Sequence, residues 1–354
     1  MKRIDLPLLI SILLLCLFGL LMIYDASSFI AFRDFGNKYH YFREQLSWLV
    51  LGSMGLTFFS FFPYQKLHTL AFPILLTAIG LLLLVFIPGV GVHVLGARRW
   101  VNFGFFTLQP AEFVKLALAI YLSAWFSHKE KKRFTAFLLL LGFIVFLVML
   151  EPDMGTAGII IIEALTVYFF SGGSVRSFAL LLPVIAGFGF LLAIFSPYRA
   201  ARIATFLNPN ESLQSSSYHV KQILIALGMG GLSGVGLGNS LQKYAYLPEN
   251  ATDSIFAIIA EEFGLIGSLV LIAVFLFVIW RGFLIASFAK DPFGKLLAGA
   301  ITSFLAVQML VNLAAQTVLI PLTGVPLPFI SYGGSALVIN LCSIGILLNI
   351  ARRA

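Results

Sequence analysis

An all-α integral membrane protein of about ten transmembrane helices is the fold class this sequence predicts, and three observations carry the prediction. Of its 354 residues 60% are hydrophobic and only 11% are charged, less than half the roughly 25% charge of a soluble domain. The mean hydropathy is +1.00, too high for a surface that faces water throughout. The apolar stretches follow one another along the whole chain, and they are continuous rather than alternating as the strands of a membrane barrel are. The same composition excludes disordered, collagenous, coiled-coil and disulfide-framework classes.

A spanning helix needs about 20 mostly apolar residues. Windows of that kind lie near 6–27, 46–62, 70–88, 106–127, 134–150, 155–171, 177–196, 254–280, 296–320 and 331–350. The first follows Met1-Lys2-Arg3, but its apolar run from Leu6 to Ile23 outlasts the about 7–15 residues of a signal-peptide core. It reads as an uncleaved helix. No polar stretch separates a second globular unit, so residues 1–354 read as a single polytopic membrane domain.

Charge sets the orientation. Counting lysines and arginines in the connections gives 13 on the N-terminal side of the membrane and 9, in longer segments, on the other. The positive-inside bias then places both termini in the cytoplasm. The net charge of +8 is accounted for by these loops and by anionic lipid, so no nucleic-acid partner is expected. Cys16 and Cys342 both fall inside apolar runs and read as small core residues, not as a disulfide. One connection stands out, the extracytoplasmic loop 197–252 between spans seven and eight. Its middle, Tyr218 to Leu232, is apolar and about half a span long, which suits a re-entrant or interfacial helix.

Phosphate-loop, zinc-protease and nucleophile-elbow motifs are absent, and the five histidines have no ligand spacing. The glycine-rich stretch from Gly231 to Gly238 follows no strand and reads as a tight turn. Ionisable groups at membrane depth carry more information, because each is costly there unless paired or wetted. Glu112 and Lys115 are three apart on one helix face; they are either a self-neutralising pair or a polar cavity wall that offers a cation to phosphate. Asp253 precedes the eighth span. An N-cap is its common role, and a general base at the outer face is the alternative. The Glu151-Pro152-Asp153 turn reads first as a helix end. Glu261 and Glu262 turn away from Asp253 on the helix that follows, so neither forms a carboxylate pair with it. Arg98, Arg99, Arg199, Arg202 and Lys243 gather on the outer side, favouring an anionic substrate.

Six blocks then resemble a known family. They are Gly96-Ala-Arg-Arg-Trp-Val-Asn102, Gln109-Pro-Ala-Glu-Phe-Val-Lys115, Glu151-Pro-Asp-Met-Gly-Thr156, Tyr198-Arg-Ala-Ala-Arg202, the long segment from Gly236 to Glu262, and Pro326-Leu-Pro-Phe-Ile-Ser-Tyr-Gly-Gly-Ser335. In order and content they are similar to the SEDS family (shape, elongation, division and sporulation), with the division branch favoured over the elongation branch. The resemblance implies a peptidoglycan glycosyltransferase of the bacterial inner membrane that polymerises lipid II at the outer face beside a class B penicillin-binding protein. It implies Asp253 as the catalytic residue and Glu112, Lys115, Arg99, Gln109, Asp153, Arg199, Arg202, Glu249 and Ser331 as substrate-binding positions. A divalent cation, Mg or Mn, is the one cofactor the chemistry admits. Glu151 stands where the family commonly has Gln, Ser254 where Phe usually follows the Asp, and His219 where Gln follows the Tyr. A lipid II flippase is the alternative reading, since it too needs a polar cavity among many spans.

Overall fold

The structure is a computed structural model and describes residues 4–94, 97–104, 106–128, 133–174, 187, 202, 205–206 and 215–354. The seventh expected span, 177–196, falls outside the described residues apart from position 187, and Arg199 falls outside them altogether. Nine helices meet nine of the expected spans: α1 (Leu6–Phe35), α2 (His40–Phe61), α3 (Gln65–Leu84), α4 (Pro110–Phe126), α5 (Phe134–Leu150), α6 (Met154–Phe170), α8 (Ile255–Phe288), α9 (Pro292–Gln316) and α10 (Gly334–Arg353). Between α6 and α8 lies α7 (Ser215–Gly230), the helix expected inside the long loop. Among the described residues α1, α3, α8, α9 and α10 are long and apolar enough to cross a membrane.

Helix ends differ from the apolar windows where polar residues extend a helix without breaking it. The window of α1 stops at Ser27, yet the helix runs on to Phe35. Ser27 returns its hydroxyl proton to the Ile23 carbonyl at 2.6 Å, so it adds no unmet donor. Gly36, at φ 67°, then closes the helix in the left-handed conformation, its N–H donating to the Phe32 carbonyl. At the other end Asp5 caps the Leu8 amide at 3.1 Å and pairs with Arg281 of α8 at 2.5 Å.

The fourth span begins later than expected, at Pro110, because the residues before it form strands. Gly91–Val94 (β1), Ala97–Asn102 (β2) and Thr107–Leu108 (β3) make an antiparallel sheet in the order β1-β2-β3. The β2–β3 turn is fixed by Gly104 at φ 87°, whose amide donates to the Asn102 side chain at 2.7 Å. Side chains alternate along a strand, so Arg98 is exposed while Arg99 turns the other way, into the interior of the site end. In the bundle α2 lies along α10, α8 touches α1, α7 and α9, and α9 also packs on α4 and α6.

α8 is interrupted at Gly264, whose φ of 65° and ψ of −165° are not helical. Such a break leaves backbone groups without helical partners, and in an apolar surround each must find another. The glycine-rich turn supplies them. The amides of Val235 and Gly236 donate to the carbonyls of Glu261 and Glu262, each at 3.0 Å, and the amides of Leu265 and Ile266 donate to Gly231 and Leu232 at 3.0 and 3.1 Å. The approach is so close that a Cβ on Gly264 would overlap the Gly234 amide. Gly264→Ala therefore meets both a disfavoured φ and a backbone collision. It should lose at least about 2 kcal/mol of stability, read as a lower thermal midpoint in detergent; a parent-like midpoint would show that the interlock carries no weight.

Candidate active site

The α4, α6 and α10 N-termini, the C-terminal end of α9 and the sheet surround a cavity of about 980 Å³. Six expected residues line it: Arg99 on β2, Gln109 before α4, Asp153 before α6, Arg202, Glu249 and Asp253. Glu112, Lys115 and Ser331 do not line it. The Lys115 ammonium is fully buried and lies 2.8 Å from the Glu112 carboxylate. It also donates to the Gln308 side chain at 2.7 Å, so the self-neutralising pair is what the geometry shows. Ser331 sits in the turn before α10, where its hydroxyl accepts the Leu327 amide at 2.8 Å.

The capping role does not fall to Asp253. α8 starts at Ile255 with Ser254 as its N-cap residue, and no hydrogen bond reaches the Asp253 carboxylate among the described residues. Its main chain is the part that is held. Asn312 of α9 donates to the Asp253 carbonyl at 3.0 Å and to the Val325 carbonyl at 2.8 Å. Ser254 donates its amide to the Glu249 carbonyl at 3.0 Å, and the Tyr332 amide donates to Ala251 at 2.9 Å. The backbone is thus fixed while the carboxylate stays available. Burial pushes that carboxyl up to about 7; the Glu249 charge adds to the rise, while Arg202 opposes it. Glu249 is itself set by a left-handed φ of 51° and accepts the Thr252 hydroxyl proton at 2.8 Å.

Asp153 does what the turn suggested and caps α6. It accepts the Thr156 amide at 3.0 Å and the Thr156 hydroxyl at 2.9 Å, and Gln109 donates to it at 3.4 Å. Arg99 clamps the same turn, donating to the carbonyls of Glu151 at 3.1 Å and Pro152 at 2.6 Å. Arg99 therefore positions the cavity wall and offers its charge there. Glu151 is buried beside it, with neither carboxyl oxygen partnered among the described residues. Burial pushes its carboxyl up to about 9, helped by Asp153 and opposed by Arg99. It is a neutral acid at ordinary pH, chemically close to the Gln the family pattern has there.

Lys243, like Arg98, does not line the cavity. Its ammonium lies 2.8 Å from Asp25 of α1 and 3.2 Å from Glu262 of α8. Glu262 also accepts the Ser240 amide at 3.2 Å, and Glu261 accepts the Leu241 amide at 3.1 Å. The two glutamates of α8 thus fasten the loop that leads to Asp253. No group of three His, Cys, Asp or Glu side chains gathers as a metal site among the described residues. The cavity carboxylates that could contribute are partly spent, Asp153 on Thr156 and Glu249 on Thr252.

Asn312 and His219 are wall residues to which the sequence assigns no role in the site. Asn312 lies between Gln308 and Gln316, and the three recur every four residues. That spacing marks one polar face on an otherwise apolar span and was a usable signal. His219, near the start of α7, lines the cavity and bonds Ser254 at 2.7 Å; it departs from the family pattern, but no spacing rule points to it.

The apolar helices and the buried polar cavity define a multi-pass membrane protein with a ligand-sized site at one end of the bundle. The family model of FtsW, RodA and SpoVE, described as cell cycle proteins, matches residues 6–354, and the chain belongs to that family. Stage V sporulation protein E of Bacillus subtilis is 39% identical over 98% of this chain and 97% of its own. The probable peptidoglycan glycosyltransferase FtsW of Coxiella burnetii is 42% identical over 94% of this chain and 92% of its own. Two solved structures share the fold. A chain of a peptidoglycan synthase complex superposes with a TM-score of 0.81 at 24% identity, covering 99% of this chain and 98% of its own. Rod shape determining protein RodA of Thermus thermophilus gives 0.73 at 24% identity, covering 99% and 97%.

The Glu151 carboxyl gives a test that needs no substrate. An acid whose folded pKa is raised binds an extra proton in the folded state between its ordinary pKa and the raised one, so stability falls as pH climbs through that interval. Glu151→Gln should melt above the parent, with a gap that widens from the ordinary carboxylate range up to about pH 9. A constant gap would place the ionised carboxylate in the folded protein.

Proposed function

We propose that this chain is a peptidoglycan glycosyltransferase that polymerises lipid II into glycan strands at the outer face of the bacterial inner membrane. Asp253 is the general base. One observation carries the reading: a recessed carboxylate with no hydrogen bond among the described residues, on a cavity wall shared with Arg99 and Arg202. The names of the full-length FtsW relatives support the reaction class and favour the division branch. They give no support to a flippase. The likeness to a chain of a synthase complex that coordinates polymerization and crosslinking supports a class B penicillin-binding protein as the crosslinking partner.

In the proposed step the acceptor disaccharide presents its 4-hydroxyl to Asp253. The carboxylate takes the proton as the oxygen attacks the anomeric carbon of the lipid-linked donor chain. A C–O bond forms, the bond from that carbon to the diphosphate breaks with its electron pair, and a single displacement inverts the centre. A carboxyl near 7 suits this task, being basic enough to accept a proton and still ionised near neutrality. The charge left on the diphosphate falls in reach of the cavity arginines rather than of Lys115, whose ammonium is spent on Glu112 and Gln308. No step of the proposal runs through a divalent cation.

Glycan formation from purified lipid II, with and without the partner, tests the reading. Asp253→Asn should reduce polymerisation by at least about 100-fold while the protein remains folded. The parent's rate should rise with pH through about 7, because Asp253 gains basicity only as its own proton leaves. Polymer from Asp253→Asn at the parental rate would remove the assignment, and lipid II translocation across vesicles without joining would replace the polymerase with a flippase.

A further inference from the structure

His219 and Ser254 are the two departures from the family pattern nearest Asp253, and they touch each other. The His219 Nε2 and Ser254 Oγ are 2.7 Å apart. Ser254 is fully buried and its hydroxyl has no other partner among the described residues. That decides the direction of the bond. Were Nε2 the donor, the serine proton would be left buried without an acceptor; with Nε2 as acceptor, both the serine hydroxyl and Nε2 are met. The ring proton of a neutral imidazole then resides on Nδ1. Burial pushes the His219 imidazolium down to about 4, and the Arg202 charge pushes the same way. The ring is neutral. Nδ1 has no protein partner among the described residues, is not sealed from solvent, and belongs to a residue on the cavity wall.

We propose that His219 is a neutral hydrogen-bond donor to the diphosphate of the glycosyl donor, with Ser254 fixing the tautomer that aims Nδ1–H into the cavity. The inference rests on the glycosyltransferase reading and deepens it. Its logic is electrostatic. A leaving diphosphate gains charge as the glycosidic carbon departs, so a donor aimed at its oxygens is stronger in the transition state than before it. A third cation beside Arg99 and Arg202 would serve that end but would also hold Asp253 ionised and weaken it as a base. A neutral N–H stabilises the leaving group without that penalty. Ser254 follows Asp253 directly and His219 lies near the start of α7, so the hydrogen bond also ties α7 to the turn that carries the base.

Nitrogen-15 NMR of histidine-labelled protein in detergent reads the pair directly. The His219 resonances, assigned by their loss in His219→Gln, should show a protonated Nδ1 and an unprotonated, hydrogen-bonded Nε2. Titration with undecaprenyl diphosphate should shift the Nδ1–H signal, while the lipid-free, diphosphate-free disaccharide peptide should leave it in place. A proton on Nε2, silence toward the diphosphate, or a shift caused by the sugar alone would each overturn the proposal. Turnover separates contact from mere packing. His219→Phe should lower kcat about tenfold with KM within about twofold, and His219→Gln, which retains an N–H donor and an acceptor for Ser254, should recover most of that loss. Equal loss in both variants, or a change in KM alone, would refute the transition-state role. Because the titration reads binding without turnover, a protein that shifts at His219 yet makes no glycan would sink the polymerase reading and leave this contact standing.

Discussion

The backbone groups released where α8 breaks at Gly264 have no water to turn to, and much of the site follows from how they are satisfied. The chain after α7 folds back as a glycine-rich turn whose amides and carbonyls complete the interrupted helix on both sides of the break. That interlock fixes the first turns of α8 against α7. Asp253 stands at the head of the one and His219 near the start of the other, so a backbone requirement of the bundle sets the spacing of the cavity wall.

Polar side chains divide the labour along the same axis. Deep in the bundle, Lys115, Glu112 and Gln308 consume one another, and Gln308 also donates to the Pro326 carbonyl at 3.0 Å. Such a network lends definition to the helix packing, since removing one partner strands a buried charge at a cost of about 3–5 kcal/mol. Toward the cavity the pattern reverses. Asn312 holds main chain and leaves Asp253 to face open space, while Arg99 braces a turn whose next acid, Glu151, is kept neutral. Charge is neutralised where the protein must pack and left available where a ligand must enter.

Much of this was legible in the sequence, for reasons that differ from element to element. Spans were readable because twenty apolar residues in succession have few other uses, and their ends were not, because Asp25 and Ser27 stop an apolar window without stopping a helix. The sheet within 91–108 is hidden because its strands mix apolar, basic and glycine positions over stretches too short for a period to show. Asp253 was singled out with two roles open, capping and base, and only the hydrogen bonds decide that its carboxylate is not the cap. The sequence leaves Lys115 two roles, partner of Glu112 or cation for a phosphate, and places Lys243 among the outer cations; their remote partners, Gln308 193 positions away and Asp25 218 positions away, lie beyond any local pattern.

The joint between the glycine-rich turn and α8 has a consequence for how this protein can drift in sequence. At most packed contacts an enlarged residue can be accommodated by a smaller neighbour, and pairs of changes pass where single ones fail. Here a Cβ on Gly230 would meet the Ala260 carbonyl, one on Gly234 the Glu262 carbonyl, and one on Gly264 the Gly234 amide. The obstructing atoms are main chain in every case, which no substitution can shrink. The joint therefore has no second-site suppressor made of side chains, and its three glycines are bound to stay or to change only with the path of the chain itself.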